Sequence, residues 1–214
     1  MRNGLRRFLR WISHYGAAPT LELALPRLPK AKPRQVVAVG DERDRLLAHS
    51  EPWLRCFLLL CSDLALRFAE ARRAAPCYFD PTHKTITLPV KGGHLHTLPV
   101  TEELQGLFAI TAAKTCDTTP YVELLSARKL PDADIYRAWT KLKARAGVNP
   151  HLRFHDLRRS TATALYHFTK DLRAVQQLLG HAHLATTTQY IAPHDPENLR
   201  PLLEALKMPT KVKQ

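Results

Sequence analysis

The sequence predicts a mainly α-helical protein with one small three-stranded antiparallel sheet, an α+β fold. Most apolar residues recur at intervals of three and four, which is the period of an amphipathic helix. The stretch 77–100 is the exception, because its short alternating segments are separated by turn residues, a pattern typical of antiparallel strands. The chain has 214 residues, of which 45% are hydrophobic. That is enough for one substantial domain, or for one domain and a fragment of another.

The chain is strongly basic. Its 32 Lys and Arg outnumber 19 Asp and Glu, for a formal net charge of +13 at pH 7. Such a charge favours a nucleic-acid partner, with a basic protein that has no such partner as the alternative.

The cysteines and the lengths of the apolar runs predict the cellular compartment of the protein. The four cysteines form no C-x-x-C pair and are interpreted as reduced thiols. No apolar run has the length of a membrane span, and the basic N-terminus lacks the apolar stretch of a signal peptide. The sequence therefore predicts a cytoplasmic protein without a membrane partner.

The first 40 residues differ in character from the rest. Residues 1–15 predict a short amphipathic helix, interpreted as the last helix of a preceding domain; a DNA-contacting arm and a membrane-surface helix are the alternatives. Residues 16–40 carry four prolines among basic residues and predict an extended linker. An ordinary solvated linker is one interpretation of this stretch. The other is that its basic side chains contact the DNA backbone: Arg27, Lys30, Lys32 and Arg34.

The helical core is predicted to begin at Asp41, which can cap a helix starting near Glu42. The apolar run continues to Leu60, with Pro52 as the point where the helix can break.

The sheet is predicted within 77–100. Turn residues separate three strands, at 77–79, 85–90 and 94–100. His94 and His96 share one face of the third strand, but no convincing further metal ligands accompany them. They are interpreted as surface or DNA-facing residues.

Two more helices follow the sheet. Thr101 is predicted to cap a helix that runs to about Ala113, and residues 114–132 are predicted to be irregular. A helix over Asp134–Ala146 is predicted to end at Gly147.

The stretch 155–190 is the densest in reactive residues. A helix is predicted at its start, because four apolar residues keep near-helical spacing: Leu157, Ala162, Leu165 and Phe168. Asp171 can cap a second helix, and Gly180 suits the left-handed position at its end.

The chemistry of this stretch points to phosphate. Arginines bind phosphate oxygens in pairs and stay charged, and histidines donate hydrogen bonds or move protons near neutral pH. A tyrosine hydroxyl becomes a nucleophile once a phosphate is held in line with it. On a basic chain, two histidines, an arginine and Tyr190 suggest covalent attack on a DNA phosphodiester.

These residues resemble the C-terminal signature of the tyrosine recombinases, also called the phage integrase family. That signature reads H-x-L-R, then L-G-H, then a threonine-rich approach to tyrosine. The matching segments are HDLR at 155–158, LLGH at 178–181 and TTTQY at 186–190. Their order and spacing fit the family pattern, and together they are a far more specific signal than H-x-L-R alone.

The resemblance implies an active site of six residues: Arg67, Lys91, His155, Arg158, His181 and the nucleophile Tyr190. It also implies that Glu70 supports Arg67 within a Gly-x-Arg-x-x-Glu motif, in which this chain has Ala65 in place of the glycine. Arg159, beside Arg158, is a further candidate DNA-binding residue.

The resemblance further implies a fold, a mechanism and partners. The fold is the catalytic core of the DNA breaking-rejoining enzymes, over residues 41–207, followed by a tail at 208–214. Residues 1–40 would be the remnant of an N-terminal core-binding domain and its linker. The implied reaction is site-specific recombination of double-stranded DNA by a tetramer on paired sites. It passes through a 3′-phosphotyrosyl intermediate and needs no metal, ATP or small-molecule cofactor.

Two alternatives to a recombinase stay open at this point. One is a non-catalytic, DNA-binding remnant of the family. The other is a type I topoisomerase, which uses the same cleavage chemistry without a defined site.

Overall fold

The computed structural model describes residues 36–38, 40–90, 93–111 and 117–188, together with Phe8, Trp11 and His14. The chain divides into two compact units, 1–34 and 35–214. In the first unit the three described residues are helical, as predicted for 1–15. The rings of Phe8 and Trp11 stack there, with their centroids 6.3 Å apart. The basic linker residues and the stretch after Thr188 lie outside the described residues.

The described part of the second unit is helical with one small sheet, which confirms the predicted fold class. Its elements in chain order are α1 (Glu42–Ala48), α2 (Pro52–Ser62), α3 (Phe68–Ala71), a 3₁₀ turn (Pro76–Tyr78), β1 (Phe79–Asp80), β2 (Thr85–Pro89), β3 (Leu95–Pro99), α4 (Glu102–Ile110), α5 (Tyr121–Ser126), α6 (Asp132–Ala146), α7 (Phe154–Thr169), α8 (Leu172–Leu179) and α9 (Leu184–Thr188). Among the described residues, no helix is both long enough and apolar enough to cross a bilayer.

Helix α2 is the centre of the core. The break predicted at Pro52 is confirmed, because proline lacks an N–H and is tolerated where a helix begins. From Trp53 to Ser62 every side chain except that of Arg55 is buried. Burial of one leucine side chain stabilises a fold by about 1.5–3 kcal/mol, so this helix anchors the unit. Helices α4, α5 and α7 pack around it.

The sheet is antiparallel with the strand order β1-β2-β3. Ile86 pairs with Phe79 on one side and with Leu98 on the other. The first strand was predicted at 77–79 but occupies Phe79–Asp80. Residues 76–78 form a 3₁₀ turn instead, which begins at a proline and in which the Cys77 N–H donates to the Asp117 carbonyl.

The prediction of an irregular segment at 114–132 was wrong. Helix α5 lies within it and packs on α2. Six residues are too few for a 3.6-residue period to be visible in the sequence. The ring of Tyr121 is buried and stacks on Phe108, with centroids 3.8 Å apart. The helix is therefore fixed by tertiary packing.

Phe168, one of the four apolar residues at helical spacing in α7, lies outside the core, since it is 90% exposed. Ala162 in the same helix is buried against Val175 and Leu179 of α8. The chain turns into α8 at Lys170, whose φ is +55°, so the last turn of α7 extends beyond the surface that α8 covers.

Candidate active site

The structure brings four of the predicted site residues into one connected cluster. Arg67 and Glu70 lie at the start of α3, Arg158 lies near the start of α7, and His181 follows the end of α8. His155 lies three residues before Arg158. Six other predicted residues lie outside the described part of the chain: Arg27, Lys30, Lys32, Arg34, Lys91 and Tyr190.

Arg67 is held by Glu70 through two contacts. Its backbone N–H donates to Glu70 Oε2 at 2.8 Å, and its Nη1 donates to Glu70 Oε1 at 2.8 Å. The carboxylate thus satisfies a free N–H at the start of α3 and also fixes the guanidinium. Glu70 is only 4% exposed, whereas the Arg67 side chain is 29% exposed. Part of the arginine therefore faces solvent.

Arg158 is buried, at 1% exposure, and joins three segments. Its Nη1 donates to the Ala65 carbonyl, and its Nη2 donates to the Leu179 carbonyl at 2.7 Å. The same Nη2 lies 3.2 Å from His181 Nε2. Glu70 Oε2 is 3.9 Å from Arg158 Nη1, so one carboxylate lies between two guanidinium groups.

The turn between α2 and α3 supplies the carbonyl that Arg158 contacts. Ala65 has a φ of +48°, a left-handed conformation that favours glycine. The next N–H, of Leu66, donates to the Leu60 carbonyl at 3.0 Å. Alanine therefore adopts, at this position of the motif, a backbone conformation that is usually taken by glycine.

His181 is buried and hydrogen-bonded at both ring nitrogens. Its Nδ1 lies 3.1 Å from Thr187 Oγ1. Because a guanidinium only donates, His181 Nε2 must accept from Arg158, which places the ring proton on Nδ1. Burial, together with the positive charges of Arg158 and Arg67, lowers the His181 pKa to about 4. The ring is therefore neutral at pH 7.

His155 lies on the exposed face of α7, one turn from Arg158. Its pKa is lowered by desolvation of the ring, and further by the positive charges of Arg158, Arg159 and Arg67. Arg159 is itself buried, at 8% exposure. It is thus not part of an exposed basic surface, and its role in DNA binding stays a prediction.

Sequence reasoning did not identify the contacts that three residues make in and around the His181 turn. Gln176 accepts the His181 N–H at 3.2 Å through its carbonyl and donates its Nε2 to the His181 carbonyl at 2.9 Å. Thr187 is fully buried, and its Oγ1 lies 3.1 Å from His181 Nδ1 and accepts the hydrogen bond from the ring proton. The interpretation of His96 as a surface or DNA-facing residue was incomplete, because its ring is half-buried and contacts the Gln177 carbonyl. Only the threonine-rich segment gave a signal in the sequence.

The model of the phage integrase family matches residues 38–197 of the chain. Among curated proteins, the tyrosine recombinase XerC of Rhizobium meliloti is 31% identical over 203 residues, covering 87% of this chain and 63% of that protein. XerC of Agrobacterium fabrum is 32% identical over 211 residues, covering 87% of this chain and 64% of that protein. The chain thus spans just under two thirds of the length of these relatives.

Solved structures share the fold. The XerA recombinase has a TM-score of 0.66 at 21% identity, covering 92% of this chain and 73% of that chain. The XerH site-specific recombinase bound to difH in a pre-cleavage complex has a TM-score of 0.64 at 21% identity, covering 84% and 56%. The Tn1549 transposon integrase in complex with transposon right end DNA has a TM-score of 0.66 at 15% identity, covering 96% and 79%. The family match extends over most of the chain and includes the whole arginine–histidine cluster, and the chain belongs to the phage integrase family.

Proposed function

We propose that the chain is a site-specific DNA recombinase that cleaves and rejoins double-stranded DNA through a covalent bond to Tyr190. The observation that carries this proposal is the cluster in which Glu70 joins Arg67 to Arg158 and Arg158 joins His181. Two guanidinium groups around one buried carboxylate leave a net positive charge beside a neutral imidazole. That combination suits a phosphodiester, whose charge grows on its non-bridging oxygens during attack.

Arg67 is suited to meet the phosphate first. It is 29% exposed and keeps N–H groups beyond the one bonded to Glu70 Oε1. Its rigid attachment through Glu70 holds these donors in place before DNA arrives, which is the condition for electrostatic catalysis.

Arg158 and His181 would join the phosphate by exchanging partners. In the structure, Arg158 Nη2 and His181 Nε2 are hydrogen-bonded to each other. A phosphate oxygen placed between them would accept from both groups. Its negative charge would raise the proton affinity of the imidazole, so Nε2 could donate while Nδ1 stays bonded to Thr187.

The bond changes balance without an external energy source. The Tyr190 oxygen bonds to phosphorus as the bond to the 5′ oxygen breaks, and the tyrosine proton is released. The neutral imidazole of His155 can accept the tyrosine proton, and the 5′ oxygen takes a proton from Lys91 or from the His155 imidazolium that this transfer forms. Attack of a 5′ hydroxyl on the phosphotyrosine reverses the step, so religation needs no ATP.

The partners follow from this reaction. Strand exchange between two duplexes requires four cleavages, so we propose a tetramer on paired sites. Cytoplasmic DNA is the proposed substrate, and the free thiols of Cys56, Cys61 and Cys77 agree with a reducing compartment.

Covalent trapping tests the proposal. Nicked duplexes of randomised sequence, carrying a bridging 5′ phosphorothiolate, would be incubated with the wild-type chain and with Tyr190→Phe and then run on a denaturing gel. The thiolate product cannot religate, so a slow protein–DNA band is expected with wild type and not with the variant. Sequencing of the trapped DNA would identify the site.

The other outcomes separate the remaining candidates. DNA retention on a native gel without any covalent band would contradict a recombinase and favour a non-catalytic DNA-binding member of the family. Covalent bands on all sequences, with relaxation of any supercoiled plasmid, would favour a topoisomerase. Trapping of a restricted set of sequences supports the recombinase.

A further inference from the structure

His96 joins two segments that are far apart in the sequence. It lies in β3, and its Nε2 donates to the Gln177 carbonyl near the end of α8, at 2.8 Å. A carbonyl oxygen only accepts, so the ring proton is on Nε2. The two residues are 81 positions apart, and this bond ties the sheet to the turn that precedes His181.

The contact is close enough to constrain residue choice in the turn. The Gln177 carbonyl also accepts the Gly180 N–H at 3.1 Å, so His96 and Gly180 share one acceptor. A Cβ atom on Gly180 would lie 2.8 Å from His96 Nδ1, nearer than real Cβ contacts come. A Cβ atom added at Gly40, Gly93 or Gly106 would have no neighbouring atom within 4 Å. The imidazole thus occupies space that only glycine leaves at position 180.

The other end of this connection is the hairpin that carries Lys91. His96 pairs with Leu88, and the next pair, Pro89 with Leu95, is the last of the described ladder before the turn. The Val90 N–H closes that end by donating to the His94 carbonyl at 2.9 Å. Lys91 follows Val90 in the sequence. A restraint at His96 therefore acts near the end of the described ladder, and Lys91 is the next residue in the sequence after Val90.

We propose that His96 is a positioning residue that holds the Lys91 hairpin in register with the Gly180–His181 turn. The inference rests on the proposed function, in which Lys91 is one of the two candidate donors to the leaving oxygen and His181 binds the same phosphate. Both groups must reach one phosphodiester at the same time, and they come from separate parts of the chain. If His96 is removed, no other described residue of the hairpin hydrogen-bonds to the Gln177 carbonyl. The hairpin and the Gly180–His181 turn would then no longer be held in a fixed relative position.

The test uses three variants of the full chain. His96→Leu removes the donor and keeps a side chain of similar bulk, whereas His96→Gln keeps an N–H at a similar reach. His94→Leu is the matched control, because His94 lies two residues before His96, directly before β3, and is exposed. Duplexes selected by wild-type trapping are the substrate, and DNA binding is measured separately with each substitution placed in the Tyr190→Phe background, which cannot form the covalent bond. Misplacement of a catalytic group by about 1 Å can cost about a hundredfold in rate.

The expected result is a loss of trapping rate of about tenfold or more in His96→Leu, at unchanged DNA affinity, with a near-normal rate in His96→Gln and in His94→Leu. A rate equal to wild type in His96→Leu overturns the proposal. An equal loss in His94→Leu also overturns it, because the effect would then belong to the strand and not to the bond.

Amide hydrogen exchange tests the contact between His96 and Gln177 without requiring DNA cleavage. His96→Leu should speed amide exchange in both 88–97 and 176–181, and His94→Leu should not. If the wild-type chain traps no DNA, the proposed function fails while this measurement still judges His96. Unchanged exchange in the 176–181 segment of His96→Leu would overturn the inference even for an active enzyme.

Discussion

Ala65 is the residue at which this chain departs from the family's Gly-x-Arg-x-x-Glu motif, and three small terms explain why alanine is accommodated. Its left-handed φ of +48° costs about 1–2 kcal/mol relative to glycine. Its methyl group is fully buried against Ala162, Val175 and Leu179, and this burial stabilises the folded state by about 0.8 kcal/mol. Alanine also loses less backbone entropy on folding than glycine, by about 0.5–1 kcal/mol. The terms nearly cancel.

We therefore expect Ala65→Gly to change the free energy of unfolding by less than about 1 kcal/mol in urea denaturation. Ala65→Val should lower it by about 2 kcal/mol or more, because a β-branched side chain is strongly disfavoured at positive φ. Ala162→Gly is the control, since it removes a methyl group from the same cluster but within a helix, where glycine costs about 1 kcal/mol more. Equal losses in Ala65→Gly and Ala162→Gly would mean that the strain at Ala65 is absent.

At the scale of elements, two helices end in the same way but in different surroundings. Gly147 ends α6 with a φ of +60°, and Gly180 ends α8 with a φ of +58°. An added Cβ at Gly147 meets Arg45 Nη1 at 3.6 Å, an ordinary contact, whereas at Gly180 it meets the His96 ring at 2.8 Å. Alanine is therefore expected to be strained by the positive φ at both positions, whereas of the two only position 180 adds a steric clash.

Gly147→Ala should lower the free energy of unfolding by about 1 kcal/mol and Gly180→Ala by clearly more, measured by thermal and urea denaturation. In the His96→Ala background the extra loss at position 180 should shrink, because the clashing ring is gone. Equal losses at the two glycines in the wild-type background would contradict the close approach of His96.

The same elements indicate what sequence can and cannot predict. Pro52, Asp171 and Gly180 act through local backbone chemistry, and the helix boundaries predicted from them are confirmed. Helix α5 has no such signal, because its position depends on the stacking of Tyr121 on Phe108. Local pattern does not encode partners that are distant in sequence.

In the candidate site, too, the sequence predicts the residues but not their long-range contacts. The motifs identify Arg67, Glu70, Arg158 and His181, since residue type and spacing carry the family signature. They do not reveal that Arg158 is buried against two backbone carbonyls. The bond from His96 to Gln177 joins residues 81 positions apart, and neither residue type predicts the other.

At the scale of the whole molecule, buried neutral histidines make the fold sensitive to acid. The pKa of His181 is lowered to about 4 and that of His155 is also lowered, in both cases first by desolvation and then by nearby arginines. In the unfolded chain a histidine has a pKa of about 6.5. Between these values the unfolded state binds a proton that the folded state does not, so stability falls as the pH falls. Above pH 6.5 the contribution to stability is fully present, and for His181 the loss is complete near pH 4.

We therefore expect the free energy of unfolding of the wild-type chain to fall more steeply from pH 6.5 to pH 4 than that of His181→Gln, which has no titrating group at this position. The comparison is made as a difference between two series of urea titrations, in which contributions from the carboxylates cancel. Parallel curves for wild type and His181→Gln would mean that His181 takes up its proton in the folded state. Below about pH 6.5 the imidazole would then be charged, and its Nε2 could not accept the hydrogen bond from Arg158.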